Sequence, residues 1–276
     1  MALVRCASNP ILSASDIPFD ASLIFNAGVC KFQGKYVMVF RNDVGFSDKG
    51  GWDRSRIYTN LGVAYSDDGV KWDVRPEPWK VAADIVASNP EISRFYDPRL
   101  TVIDGRCYLC FAVDTKHGVR GGIAVTDDFD NFEVLSMSAP DNRNMVLFPE
   151  KIGGLFVRLE RPFPEYSRGY QEKFDIWSSK SPDCRFWGDT ELVLGMEDVP
   201  YANAKIGPAA PPIKTSKGWL CTFHATYKDE TRHLFGWENI NGRAVTRNKE
   251  YLAGLGLVDL GDPQKAIAPA RELPIE

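Results

Sequence analysis

Asp97, in the segment Tyr96-Asp97-Pro98-Arg99, is the best single candidate for a catalytic carboxyl in this chain. At matching places of an internal repeat stand Asn26, Arg41, Arg143, Asn144, Arg161, Lys205 and His224. Together they offer one acid, several cations, two amides and one imidazole. Arg143, Arg161, Lys205 and His224 suit an oxyanion, because a guanidinium grips phosphate oxygens at two points and an ammonium adds a compact charge. Cleavage of a glycoside by water normally needs two carboxyls, one for the leaving oxygen and one across the ring. If phosphate is the nucleophile, the acid alone suffices. One Asp with an oxyanion-binding cluster fits that arithmetic. The bland alternative for each residue singly is a surface or ion-paired charge. Recurrence at matched repeat positions argues against it for the set, since buried charge is costly unless paired.

Other chemistries lack their residues. No G-x-G-x-x-G or P-loop run is present, which argues against nucleotide chemistry, and no G-x-S-x-G nucleophile elbow occurs. The histidines at 117, 224 and 233 show no metal-ligand spacing, so no metal or organic cofactor is expected, and inorganic phosphate would enter as a co-substrate. Cys107 and Cys110 form a CxxC, yet CYLCFAV reads as a strand, where residues three apart face opposite ways. Two core thiols are the expected reading.

The elements that must position these residues repeat four times. FNAGVCKFQGKYVMVFR, YDPRLTVIDGRCYLCFAVD, MVLFPEKIGGLFVRLERP and KIGPAAPPIKTSKGWLCTFHAT each read as strand, glycine turn, strand. A second, outer pair of strands follows each hairpin. This predicts four blocks of four strands over about 23–75, 95–135, 144–193 and 204–268, the size of propeller blades. In a propeller the innermost strands face one channel, where matched polar residues would gather. The turns SDDGVKW, TDDFDNF and SPDCRFW carry Ser or Thr, Asp and a closing aromatic. They are expected to cap their own backbone amides, with no catalytic part. Excursions at 42–58, 76–94, 163–173 and 228–250 are expected to be loops, and the final PARELPIE a linker.

Bulk properties narrow the setting. The net charge of −4 and the absence of Lys/Arg runs argue against a nucleic-acid partner. No apolar stretch reaches the roughly 18 residues of a membrane helix, and MALVRCASNP lacks a signal-peptide core. Six scattered cysteines then read as reduced thiols, and the expected location is cytoplasmic.

The segments YDPRLTVIDG, APDNRNMVLFPEKIGG, VRLERPF and AKIGPAAPPIKTSKGWLCTFHA resemble the signature stretches of glycoside hydrolase family 130. That is the family of β-mannoside phosphorylases, which are five-bladed β-propellers. The resemblance implies an all-β fold and makes Asp97 the general acid of an inverting reaction. In the family's mechanism the proton reaches the glycosidic oxygen through the mannose 3-hydroxyl. Phosphate attacks C1 from the other face, giving α-mannose 1-phosphate and a shortened acceptor. The family's phosphate ligands match Arg143, Arg161, Lys205 and His224, with Asn144 beside them, while Asn26, Arg41 and Tyr96 match the sugar side. The family also holds hydrolases of β-1,2-mannosides, which lack the full cationic set.

Linkage and acceptor stay open: β-1,4-mannooligosaccharides, mannosyl-glucose or mannosyl-N-acetylglucosamine, or β-1,2-mannosides. The loops 42–58, 163–173 and 228–250 are expected to decide between them. A hydrolase on the same scaffold and a non-catalytic sugar-binding propeller are the competing functions. A homo-oligomer is a further expectation from the resemblance. Residues 1–276 are read as one propeller domain with about four blades' worth of sequence, lacking the C-terminal blade.

Overall fold

The computed structural model describes residues 4, 6–45, 57–163, 173–231, 237–240, 243–246 and 248–272. The chain divides into two compact units, Cys6–Arg143 and a second containing Asn144–Glu276, where the sequence suggests one domain.

The first unit holds two sheets. One is β1 (Leu23–Phe32), β2 (Lys35–Val44), β3 (Tyr58–Ser66) and β4 (Asp73–Val74), the other β5 (Ile92–Ile103), β6 (Arg106–Thr115), β7 (Gly118–Thr126) and β8 (Glu133–Met137). In both, each strand pairs with the next in sequence, the meander of a propeller blade. The inner hairpins close at Gln33-Gly34 and Asp104-Gly105, and all four residues have φ between 49° and 86°. Two successive positive φ values make the type I′ turn, whose twist matches that of the strands it joins. Alternation along β2 buries both faces of its sheet. Val37 and Val39 point into a core shared with Leu100, Leu109 and Phe111 of the second sheet. Met38 and Phe40 point the other way, onto Ile17, Phe19 and Trp72.

The second unit repeats the plan. Its first sheet is β9 (Asn142–Leu147), β10 (Phe156–Pro162), β11 (Ile176–Ser181) and β12 (Gly188–Leu194), with β9 beginning at the last two residues of the first unit. Its second sheet contains β13 (Lys205–Pro208), β14 (Ile213–Thr215), β15 (Gly218–Lys228), β16 (Trp237–Ile240), β17 (Arg243–Thr246), β18 (Lys249–Val258) and β19 (Ala266–Glu272). β15 carries both β13 and β14 on one edge, and β18 pairs with β15, β17 and β19. Val146, Phe148, Val157, Leu159, Trp219 and Phe223 form the core between these sheets.

Among the described residues there are thus four blade-type sheets, at the four predicted blocks, and no fifth. Three sheets share a packing device. Phe40, Phe111 and Phe223 lie directly across from Gly62, Gly122 and Gly254, and a Cβ on any of these glycines would come within 2.1–2.3 Å of the ring. The third sheet differs. At the corresponding place stands Glu160, 2% exposed, ion-paired to Arg158 at 2.8 Å and bonded by the Ser179 hydroxyl.

Three expectations need correction. The excursion 76–94 contains a helix, α1 (Lys80–Ser88), which puts Val81 and Ala82, with Ile85 and Val86, on the first unit's core. Nine residues are too few for its periodicity to stand out beside flanking prolines. Trp79 anchors its start, the indole N–H donating to the Phe129 carbonyl at 2.9 Å. The supposed linker at the end is strand through Glu272, paired with Gly254 of β18. An outer strand with one solvated face carries only half the apolar signal of a buried one. The excursion 228–250, expected to be a loop, carries β16 and β17, which pair with each other, and β17 pairs with β18; a four-residue hairpin arm is too short to show a period-two pattern among polar residues. The excursions 42–58 and 163–173 lie largely outside the described residues, as does His233.

The polar turns behave as expected. Ser66, Thr126 and Ser181 accept from backbone amides two and three residues on, or two residues on, and Asp68, Asp128 and Asp183 from the next amides. The Asp128 carboxyl is drawn down to about 2, first by the Asn131 side-chain amide and then by the Asn131 and Asp130 backbone amides. A carboxylate lowered in the folded state contributes stability that is complete above its unfolded value of about 3.9. That contribution is lost as pH falls towards about 2. Asp128→Ala is expected to lower Tm at pH 7 and to shrink the fall in Tm between pH 4 and pH 2. A variant with the wild-type acid slope would remove this turn from the pH response. The CxxC cysteines are buried as expected, Cys107 in the core and Cys110 on the opposite face, and Cys107 Sγ lies 3.8 Å from Cys30 Sγ. Among the described residues no helix is long and apolar enough to cross a membrane.

Candidate functional site

Three of the four innermost strands are interrupted at the position that carries a polar candidate. Asn26, Asp97 and Asn144 have φ of 49°, 55° and 61°. Asn and Asp tolerate this left-handed conformation better than other side chains. At Asn26 and Asp97 the pairing register also slips, between Phe25 and Gly28 and between Tyr96 and Arg99. Such a bulge re-aims the side chain out of the regular strand alternation.

In the first unit the bulges are locked to each other. A Cβ on Gly28 would fall 2.8 Å from the Leu100 amide nitrogen and 2.9 Å from the Arg99 Cα, so only glycine lets β1 approach β5 this closely. The Arg99 guanidinium donates to the Pro98 carbonyl at 2.8 Å and to that of Asn26 at 3.3 Å. Gly28→Ala should cost about 1–3 kcal/mol, because the obstructing atoms are backbone and cannot rotate away. A denaturation midpoint matching wild type would show that the strands separate freely.

Asp97 is held through one oxygen. Its Oδ1 accepts from Asn26 Nδ2 at 2.8 Å and from Arg41 Nη1 at 3.0 Å. Arg41 also donates to both carboxylate oxygens of Asp43, at 2.9 and 2.6 Å. The rings of Phe25 and Tyr96 lie 4.5 and 5.1 Å from its guanidinium carbon. Tyr96 is 3% exposed and donates its hydroxyl to Asp114 at 2.7 Å. Burial first, then the bond to Asp114 and its charge, push this phenol up to about 12, against the opposing pull of Arg143. So the structure joins Asn26, Arg41, Tyr96, Asp97 and Arg143 in one unit, with the Tyr96 hydroxyl already committed.

The second unit brings together Arg161 and His224. Arg161 is 1% exposed, lies 5.6 Å from the rings of both Phe163 and Phe174, and places Nη1 3.1 Å from His224 Nε2. A guanidinium only donates, so Nε2 accepts and the imidazole proton sits on Nδ1. Gly207 lies across from His224, and a Cβ there would come within 2.6 Å of the imidazole and 3.0 Å of Arg161. Lys205 is half-buried, its ammonium 5.2 Å from the Tyr251 ring. Asn144 opens this unit in its left-handed conformation.

Sequence reasoning missed Asp43, Arg94, Asp114, Phe25 and Arg99. Arg41 and Asp43 could have been paired, being two apart on one strand and hence on one face. Asp114 could not, because its approach to Tyr96 depends on the bulged register of β5 on β6. Among the described residues no group of three or more His, Cys, Asp or Glu side chains is placed to hold a metal.

Residues 11–253 match the family model described as beta-1,4-mannooligosaccharide phosphorylase. The chain is 34% identical over 229 residues to a β-1,4-mannooligosaccharide phosphorylase from Ruminococcus albus, covering 80% of this chain and 63% of the relative. It is 32% identical over 168 residues to a β-1,2-mannobiose phosphorylase from Listeria innocua, covering 60% of this chain and 41% of the relative. The match thus spans less than two thirds of the length of these relatives. The structure of the β-1,2-mannobiose phosphorylase from Listeria innocua with β-1,2-mannobiose superposes with a TM-score of 0.76 at 23% identity. That superposition covers 99% of this chain and 84% of the other, so the two share a fold. With the family model matched over most of its length, this chain belongs to glycoside hydrolase family 130.

Proposed function

We propose that this chain is an inverting phosphorylase that cleaves β-mannosidic linkages with inorganic phosphate, releasing α-mannose 1-phosphate. The observation that carries this reading is the carboxyl of Asp97, held at Oδ1 by Asn26 and Arg41. Both donors engage one oxygen, which supports Oδ2 as the oxygen that serves the leaving group. Its proton passes by way of the mannose 3-hydroxyl to the departing glycosidic oxygen, and phosphate takes C1 from the other face. Asn26 and Arg41 are the proposed sugar contacts, with Tyr96 supporting Arg41. Arg143, Asn144, Arg161, Lys205 and His224 are the proposed phosphate ligands, in keeping with the cation preference of oxyanions. The five-bladed form of the propeller is part of the same proposal, supported by the longer chain of the Listeria structure.

β-1,4-Mannooligosaccharides are the leading substrates, supported by the description of the family model and by the Ruminococcus relative. The Listeria relatives support β-1,2-mannobiose as the second reading. The test is incubation with β-1,4-mannobiose and, separately, β-1,2-mannobiose, with and without phosphate, assaying mannose 1-phosphate. Product that requires phosphate, with the β-1,4 sugar preferred, is the expected result. Free mannose regardless of phosphate would make the protein a hydrolase. Binding without turnover on either sugar would make it a sugar-binding propeller.

A further inference from the structure

Arg41 bonds through all three nitrogens of its guanidinium. Nε and Nη2 go to the two oxygens of Asp43, at 2.9 and 2.6 Å, and Nη1 goes to Asp97 at 3.0 Å. A guanidinium is planar, so a two-point grip on one edge sets the direction of the remaining donor. Asp43 is itself pinned. It is 5% exposed, accepts from the Thr59 hydroxyl at 2.6 Å, and meets Arg94 Nη2 at 3.2 Å. Arg94 donates Nε to the same hydroxyl at 2.8 Å and lies 3.7 Å from Asp114. Acidic and basic side chains therefore alternate from Asp97 through Arg41, Asp43 and Arg94 to Asp114. Burial pushes the Asp43 carboxyl up, but hydrogen bonds from Arg41 and Thr59 and the charges of Arg41 and Arg94 outweigh it and hold it down, hence ionised.

We propose that Asp43 is the positioning residue of this site: its two-point grip aims one Arg41 N–H at Asp97, and its charge offsets that of Arg41. Asp43 need touch neither sugar nor phosphate. Without its charge, the Arg41 cation would act unopposed on Asp97 and favour loss of the proton that the reaction needs. Among the described residues, the polar groups gathered around this pair are Asn26 of β1, Thr59 of β3, Arg94, Tyr96 and Arg99 of β5, and Asp114 of β6, with Arg143 on the Tyr96 hydroxyl. α1 meets β5 through Val81 and Ala82.

The kinetic part of this inference rests on the phosphorylase reading, and the geometric part stands without it. The geometric test records the side-chain Nε–H signals of ¹⁵N-labelled protein, with Arg41 identified by its loss in Arg41→Lys. In the wild type the Arg41 signal should exchange with water far more slowly than those of exposed arginines. Exchange as fast as theirs would overturn the proposal before any Asp43 variant is made. In Asp43→Asn that protection should fall at least tenfold, and the alkaline limb of phosphorolysis should move to lower pH by about one unit, the scale of one neighbouring charge. Asp43→Glu keeps the charge but displaces the carboxyl, so kcat should fall about tenfold with the limb in place. Unchanged protection and an unmoved limb in Asp43→Asn would overturn the proposal. If Asp43→Asn does not fold, the wild-type signal and Asp43→Glu decide. Absence of phosphorolysis in the wild type would sink the phosphorylase reading, while the exchange measurements would still judge Asp43.

Discussion

Asp97→Asn will lower phosphorolysis by about 10²–10⁴-fold, the usual contribution of a general acid, and leave mannoside binding within a few-fold. The substitution is close to isosteric. The Asn carbonyl oxygen can still accept from Asn26 and Arg41, which both engage Oδ1 in the wild type. The left-handed backbone at this residue suits Asn as well as Asp, with φ of 55°. What disappears is the acidic proton on Oδ2. Binding by calorimetry and turnover by mannose 1-phosphate release separate the two effects. Unchanged turnover would move the acid elsewhere, and loss of binding equal to loss of turnover would make Asp97 a sugar ligand.

The second large effect is expected at Lys205. Lys205→Ala should raise the phosphate concentration for half-maximal rate by roughly ten- to a hundred-fold, since a charged hydrogen bond is worth about 1.5–3 kcal/mol. The mannoside requirement should change much less. Lys205 is a cleaner probe than Arg161. It is half-buried against Tyr251, whereas Arg161 is 1% exposed and packed between two Phe rings and His224. Truncating Arg161 would mix a packing defect with the loss of a ligand. If the mannoside constant alone moves in Lys205→Ala, Lys205 belongs to the sugar subsite.

The four blocks, their glycine turns and the capping roles of Ser66, Thr126 and Ser181 were legible because they depend on local chemistry. Period-two apolarity, residues that accept positive φ, and side chains that bond their own backbone are written within a few neighbouring positions. α1 and β19 were not legible, because a nine-residue helix and a half-solvated outer strand carry weak periodic signals. The setting of Tyr96 was not legible either: the fold buries it and places its hydroxyl on Asp114.

By itself, then, the sequence determined the all-β repeat, the family, and the identity of the candidate acid and cations. Tertiary structure alone decided how Asp97 is held. Asn26, Arg41 and Asp97 meet only because Gly28 lets β1 lie against β5 and because bulges turn two side chains out of register. It also decided that Asp43 stands behind Arg41 and that Thr59, Arg94 and Asp114 continue the chain of charge. The physical reason is range. Turn and strand preferences act between near neighbours, whereas a hydrogen bond between residues 56 or 71 positions apart exists only after the sheets have packed.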